Sequence, residues 1–166
     1  VEQALAAGQI VRSWPMRGTL HFVAAEDLGW MLEISGRRQA TWAAKRRSDL
    51  GISDADLDRA AELAHDSLVG GRVLRRDASL ALEAGGVSCA GQRGYHLLWN
   101  LAHAGLTVFG PVDGKHQTFT LLSEWVASPR ELHGDEALGE FARRYFTSHG
   151  PATERDFAWW ASIPLS

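Results

Sequence analysis

The sequence predicts a mainly α-helical fold with short β-hairpins, an α+β chain of tandem winged helix-turn-helix units. Three observations carry that expectation: a helix-strand-turn-strand run at the start, a three-helix run closed by a ribbon in the middle, and internal matches that link these to the C-terminal segment. Three helices followed by a two-stranded ribbon is the order of a winged helix.

The first residues, Val1 to Ala7, have a helical pattern, and Gly8 stands where a helix end tolerates left-handed backbone. Ile10 to Trp14 are β-branched and aromatic, Pro15-Met16-Arg17-Gly18 reads as a turn, and Thr19 to Val23 return as a second strand. A helix is expected from Ala25 to Ile34, with Glu26 and Asp27 in its first turn, where the helix dipole favours acids. Ser53 and Asp56 form a capping-box pattern for a helix running to about Leu68, with Leu57, Ala60, Ala61, Ala64 and Leu68 on one face. Gly70-Gly71 stops it. Asp77 is placed to cap a short helix from Ala78 to Ala84, and a third helix runs from about Gln92 to Ala104. Leu106 to Phe109, the turn at 110–114 and Gln117 to Leu122 complete the ribbon.

Two segments recur. Leu5 to Val11 lines up with Leu101 to Thr107 after one inserted residue, and Gly71 to Ser79 parallels Gly150 to Ala158, each opening a helix with Arg-Asp. These matches place the end of a first unit with a linker helix at 1–47, a complete second unit at 48–130, and the first two helices of a third at 131–166. The start at Val1 and the end at Ser166 read as interior points of a longer protein.

Composition excludes several classes. A single Cys cannot build a disulfide framework and suits a reducing, cytoplasmic setting. No apolar run approaches the roughly 20 residues of a membrane helix, so no membrane partner is expected. The formal net charge of -3 argues against a uniformly basic nucleic-acid binder. Charge is segregated, however: residues 1–47 hold seven basic and four acidic side chains, whereas 48–66 hold one and six. Arg37, Arg38, Arg46 and Arg47 therefore form a candidate phosphate-binding stretch, against the plain reading of a solvated helix face.

On the third helix, Gln92, Arg93, Tyr95, His96, Asn100 and His103 are expected to be exposed, with Leu97, Leu98 and Leu101 facing the core. Gln92, Arg93, His96 and Asn100 have the donors and acceptors that base edges or phosphates require, and Lys115 in the wing turn adds a cation. An ordinary polar helix face is the competing reading. The seven His residues show no metal-ligand spacing, so no metal is expected. Ser88-Cys89 lacks a nucleophile context, and the Gly-Gly pairs lack the Lys-Ser/Thr of a phosphate loop. Trp159 and Trp160 are adjacent on one helix and cannot both face one core.

The stretches Arg12-Ser13-Trp14-Pro15-Met16-Arg17-Gly18-Thr19-Leu20-His21-Phe22-Val23-Ala24-Ala25-Glu26-Asp27-Leu28 and Ser148-His149-Gly150-Pro151-Ala152-Thr153-Glu154-Arg155-Asp156-Phe157-Ala158-Trp159-Trp160 resemble the AlkZ-like bacterial proteins, often described as winged helix DNA-binding domain-containing proteins. The resemblance spans essentially the whole chain. It implies tandem winged helices around a basic channel, double-stranded DNA as partner, no metal or organic cofactor, and hydrolysis of the N-glycosidic bond of alkylated or crosslinked bases. That family's catalytic motif, a Gln, an apolar residue, then Gln or Asp, lies upstream of the Arg-Gly-Thr-Leu-His segment. Gln3, Gln9, Gln39 and Gln92 do not reproduce it, so no catalytic residue is assigned. Arg17, Thr19 and His21 match the best-marked stretch, and strand alternation would put them on one face lining DNA. The competing reading makes Arg17 and Thr19 turn stabilisers and His21 a satisfied, partly buried hydrogen-bonder. A transcriptional regulator or protein-docking module, using the acidic helix at 54–68, is the alternative for the whole.

Overall fold

The computed structural model describes residues 1–165, the side chains of Arg37 and Ala40 excepted. The proposed DNA contact Arg37 thus lies outside the described side chains. The architecture is mixed: helices pack on one antiparallel five-stranded sheet with order β2-β1-β4-β5-β3. Its strands are β1 (Ile10–Met16), β2 (Thr19–Ala24), β3 (Arg72–Leu74), β4 (Thr107–Phe109) and β5 (Thr118–Leu121). The helices are α1 (Glu2–Ala6), α2 (Leu28–Asp49), α3 (Asp54–Leu68), α4 (Arg75–Ala84), α5 (Arg93–His103), α6 (Leu122–Trp125), α7 (Gly134–Ser148) and α8 (Glu154–Ala161).

The first hairpin closes through Arg17 and Gly18, with φ of 53° and 66°. Two positive-φ residues give the primed turn whose twist matches the flanking strands. Pro15 lies where the register shifts between Ser13 and Met16, and an irregularity of that kind is where a strand accommodates a residue without an N–H. Arg12 then pairs with Phe109, joining this hairpin to the second ribbon.

Three expectations need correcting. The ribbon has a third strand, because Arg72 to Leu74 pair with Thr118 to Thr120; three residues are too few to display a period in the sequence. That strand moves the start of α4 forward to Arg75, so its N-cap is Leu74 and Asp77 sits in the first turn, bonded to Arg76 instead of capping. Residues Ala25 to Asp27 form a 3-10 turn, and α2 continues to Asp49, absorbing the basic stretch. No proline interrupts it, and Gly36 lets it cross α5 closely, since a Cβ there would lie 3.2 Å from the His103 carbonyl. Asp27 stands in the first turn with Glu26 as expected, and it is also buried: it is 1% exposed, ties the start of α2 to α7 through Arg144 (2.7 Å) and to the segment before α7 through Arg130 (2.9 Å), and accepts from Trp30 Nε1 at 2.9 Å.

The capping box at Ser53 and Asp56 is present, and Ala60, Ala64 and Leu68 are the buried residues of α3, as the spacing predicts. A matching box at Thr153 and Asp156 opens α8. Three apolar clusters result, and β1 feeds all of them: Trp14 packs with α3, α4 and α5, Met16 with α7 and α8, Val11 with the start of α2. Strand alternation sends Val108 to one cluster and Phe109 to another, so the sheet is packed on both faces. Helix α2 likewise spans the clusters. That leaves β1 and α2 as the rigid frame from which the site is built.

Candidate nucleic-acid interface

The hairpin tip rests on α2 and α5, because a Cβ on Gly18 would stand 3.5 Å from Gln39 Oε1 and 3.9 Å from the Trp99 ring. Thr19 donates to the Met16 carbonyl at 3.3 Å and lies 2.8 Å from His21 Nε2. Thr19 and His21 therefore share a face as alternation predicts, whereas Arg17 belongs to the turn. Burial, then the nearby Arg17 guanidinium, holds the His21 pKa below the ordinary value, so His21 is neutral at neutral pH and serves as a hydrogen-bonding group. Arg17 is exposed and takes part in no ion pair among the described residues.

Near the end of α2, Arg46 and Arg47 turn toward α5. Arg46 Nη2 donates to Gln92 Oε1, and Arg47 Nη1 donates to Asn100 Oδ1 at 3.3 Å. Asn100 Nδ2 in turn donates to the His96 carbonyl at 2.6 Å. Burial, then Arg46, lowers the His96 pKa, and its Nδ1 is buried without a hydrogen-bond partner. The structure thus brings Arg46, Arg47, Gln92, His96 and Asn100 into one cluster, built across two helices that are distant in sequence.

The expected exposed face of α5 is largely covered. Between Arg93 and His103 only Tyr95 is exposed, and Gln92 just precedes the helix. His103, expected in solvent, is buried: its ring lies 3.7 Å from Trp99 and stacks on Trp14, and its Nδ1 is 3.0 Å from the Trp99 carbonyl. Desolvation lowers its pKa, partly offset by that backbone bond. Arg93 is a staple rather than a free cation. Its Nη1 donates to the carbonyls of Leu50 (2.7 Å) and Gly51 (2.6 Å), its Nε to Ser88 (2.9 Å), and Asp56 lies 3.5 Å from Nη2.

Lys115 stands apart from this cluster. It lines a small cleft of about 260 Å³ with Arg75, Arg76, His116 and Gln117 at the second wing. Arg75 also lies over the Tyr95 ring at 5.7 Å, which links that wing to the exposed end of α5. Sequence reasoning missed Trp42, Arg155 and the outward role of Trp159. With Arg17 and Arg38 they line a cleft of about 550 Å³ between the hairpin, α2 and α8. The signal was present, since Trp42 follows Arg38 by one helical turn in a polar stretch and Trp159 precedes Trp160, which packs half-buried against the α7–α8 cluster. Among the described residues no group of three His, Cys, Asp or Glu side chains is arranged to hold a metal ion, and no helix is long and apolar enough to cross a membrane.

Comparison with known proteins gives this geometry a context. The family described as "DNA glycosylase AlkZ-like" matches residues 1–166. An interstrand DNA cross-link repair glycosylase from Streptomyces sahachiroi is 25% identical over 173 residues, covering 98% of this chain and 46% of that relative. The solved structure of the Streptomyces sahachiroi DNA glycosylase AlkZ superposes with a TM-score of 0.78 at 25% identity, covering 99% of this chain and 46% of that one. The chain therefore spans about half the length of these relatives.

Proposed function

Because the chain belongs to the AlkZ-like DNA glycosylase family, we propose that it is the DNA-binding part of a cytoplasmic bacterial glycosylase that acts on alkylated or crosslinked bases. In this reading 1–47 is the wing and linker helix of one winged helix, 48–130 is a second, and 131–166 begins a third. What supports it is local: capping boxes open a helix at the same step in two of these parts, at Ser53 with Asp56 and at Thr153 with Asp156, while the three apolar clusters knit the parts together. The glycosidic chemistry requires a polar pair to activate water and stabilise developing charge. No glutamine of this chain is assigned that role, and Gln39 is buried against the hairpin tip.

The observation that carries the reading is the placement of Arg17 and Arg38 in one cleft beside the hairpin tip, with Arg46 further along the same helix beside Gln92, in a stretch whose charge is segregated from the acidic α3. Phosphate contacts fix a protein on duplex DNA and release counterions when they form. Arg17, Thr19, His21, Arg38, Arg46, Arg47, Gln92, His96 and Lys115 are the proposed contacts; Arg93 and Asn100 hold the scaffold beneath them. The test is fluorescence anisotropy with a labelled duplex across a salt series. Binding that weakens steeply with salt is expected, and absent or salt-independent binding overturns the reading.

A further inference from the structure

The cleft between the first hairpin, α2 and α8 combines two features that stand outside the three apolar clusters. The first is free positive charge. Among the described residues Arg17, Arg38 and Arg155 stand in no ion pair, whereas Arg59, Arg93, Arg130, Arg143 and Arg144 all do. The second is exposed aromatic surface. Trp159 is 71% exposed and Trp42 54%, while Trp14, Trp30 and Trp99 are buried. An indole left in water forgoes the large burial a Trp side chain normally contributes.

The two features are interleaved. The Arg17 guanidinium lies 4.6 Å above the Trp159 ring, and Arg38 lies 5.2 Å from the Trp42 ring. A guanidinium stacked on an indole is oriented, and its N–H edges stay available to phosphate oxygens. The rings, still largely in solvent, stay available to flat partners. Arg155 adds a third cation on α8 one turn before Trp159.

Duplex DNA cannot use such a surface fully, since its bases show only their edges in the grooves and hide their faces in the stack. Unpaired nucleotides expose both a charged backbone and base faces, and alternating cations and aromatics are how proteins hold them. We propose that this cleft binds an unpaired stretch of DNA, with phosphates on Arg17, Arg38 and Arg155 and bases stacked on Trp42 and Trp159. Chemistry on a base within a duplex requires that base to leave the stack, so a site for opened strand beside a duplex-binding surface is mechanically coherent. The inference rests on the DNA-binding reading above but makes a separate demand, selectivity for unpaired strand.

The experiment compares a labelled single strand of roughly ten nucleotides with the matching duplex by anisotropy, for the unaltered protein, Trp42→Ala, Trp159→Ala, Trp159→Phe and Arg155→Ala. Each Trp→Ala change is expected to weaken single-strand binding roughly five- to a hundredfold and leave duplex binding within about twofold. Trp159→Phe restores most of the loss, and Arg155→Ala lowers the single-strand salt slope by about 0.7. Single-strand binding also quenches tryptophan fluorescence, and the Trp42→Ala/Trp159→Ala double variant loses that quenching. Circular dichroism confirms that the variants are folded, as expected for exposed positions. Unchanged single-strand affinity in the double variant overturns the inference, as does equal weakening of single strand and duplex, or a more than tenfold preference for the same sequence as RNA. Single-strand binding without any duplex binding overturns the duplex reading and leaves the cleft standing.

Discussion

Two groups of arginines in this molecule carry the same charge and have opposite employment. Arg93, Arg130 and Arg144 are consumed by the protein: Arg93 by three carbonyls and Asp56, Arg130 and Arg144 by Asp27 and Glu140. Arg17, Arg38 and Arg155 are offered to solvent with aromatic rings between them. Charge counts treat all six alike. What separates a structural arginine from a binding one is whether the fold supplies its acceptors, and that depends on segments far apart in sequence.

The largest expected effect comes from breaking the consumed group at its centre. Asp27 is buried with two guanidiniums and the Trp30 indole on it. Burial pushes its pKa up, but the Arg144 and Trp30 hydrogen bonds and the nearby cations outweigh that and lower it. Asp27→Ala takes the shared carboxylate from both guanidiniums and from the Trp30 indole, leaving Glu140 as the arginines' remaining acceptor, and should cost about 3 kcal/mol, read as a large fall in thermal midpoint. The same network sets acid behaviour. Glu140 is drawn from 4.5 to about 2, first by Arg143 and then by Arg144. Its contribution is present above 4.5 and is lost as pH falls toward about 2, so Glu140→Gln should flatten stability in that window.

Arg93→Ala comes next. It removes charge-assisted bonds to the Leu50 and Gly51 carbonyls, which hold the turn between α2 and α3. A loss of about 1.5–3 kcal/mol in denaturant unfolding is expected, with the salt slope of duplex binding unchanged. A drop in that slope near 0.9 would instead return Arg93 to the phosphate-binding group.

A smaller effect belongs to His103, whose depressed pKa arises from burial between Trp14 and Trp99. The unfolded chain binds the proton near 6.5 and the folded one only below that, so stability rises with pH across this window and is lost as pH falls through 6.5. His21 and His96 act in the same direction. His103→Phe should give a flatter dependence of thermal midpoint on pH between about 7 and 5.5, with a residual slope set by His21 and His96 against His133, whose hydrogen bond to Glu33 raises its pKa and acts in the opposite direction.

How much of this was legible in the sequence follows from the range of each interaction. Local signals were readable: the capping box at Ser53, the stripe Ala60, Ala64 and Leu68, the turn at Arg17-Gly18, and α5 with its Leu core. Strand β3 was not, because three residues carry no period and its register comes from β5. Asp27 looked like a first-turn acid because its partners Arg130 and Arg144 lie more than a hundred residues away. His103 looked polar on a helical wheel because the wheel does not show β1 laying Trp14 across it. Of the site, the hairpin residues and the α2 arginines could be named, but the division between consumed and free cations, and the pairing of Trp42 with Trp159, required the packing of α8 against the hairpin.

The smallest expected change in stability, and the sharpest separation of the two arginine groups, comes from Arg17→Gly. Arg17 holds a φ of 53°, a left-handed conformation that costs a residue with a Cβ roughly 1–2 kcal/mol. Glycine removes that strain, but it also gives the unfolded chain more freedom, a cost of about 0.5–1 kcal/mol. The two nearly cancel, so thermal stability should move by no more than about 1 kcal/mol in either direction. Binding should respond differently, because the guanidinium over Trp159 disappears. If Arg17 is a free cation aimed at phosphate, the variant keeps its fold while the salt slope of duplex binding falls by about 0.9. If its purpose is only to pin Trp159, the slope stays and the tryptophan becomes more accessible to acrylamide quenching. A strained arginine at a turn that glycine fills more easily is retained at a cost to folding, and the DNA titration decides whether binding is what offsets it.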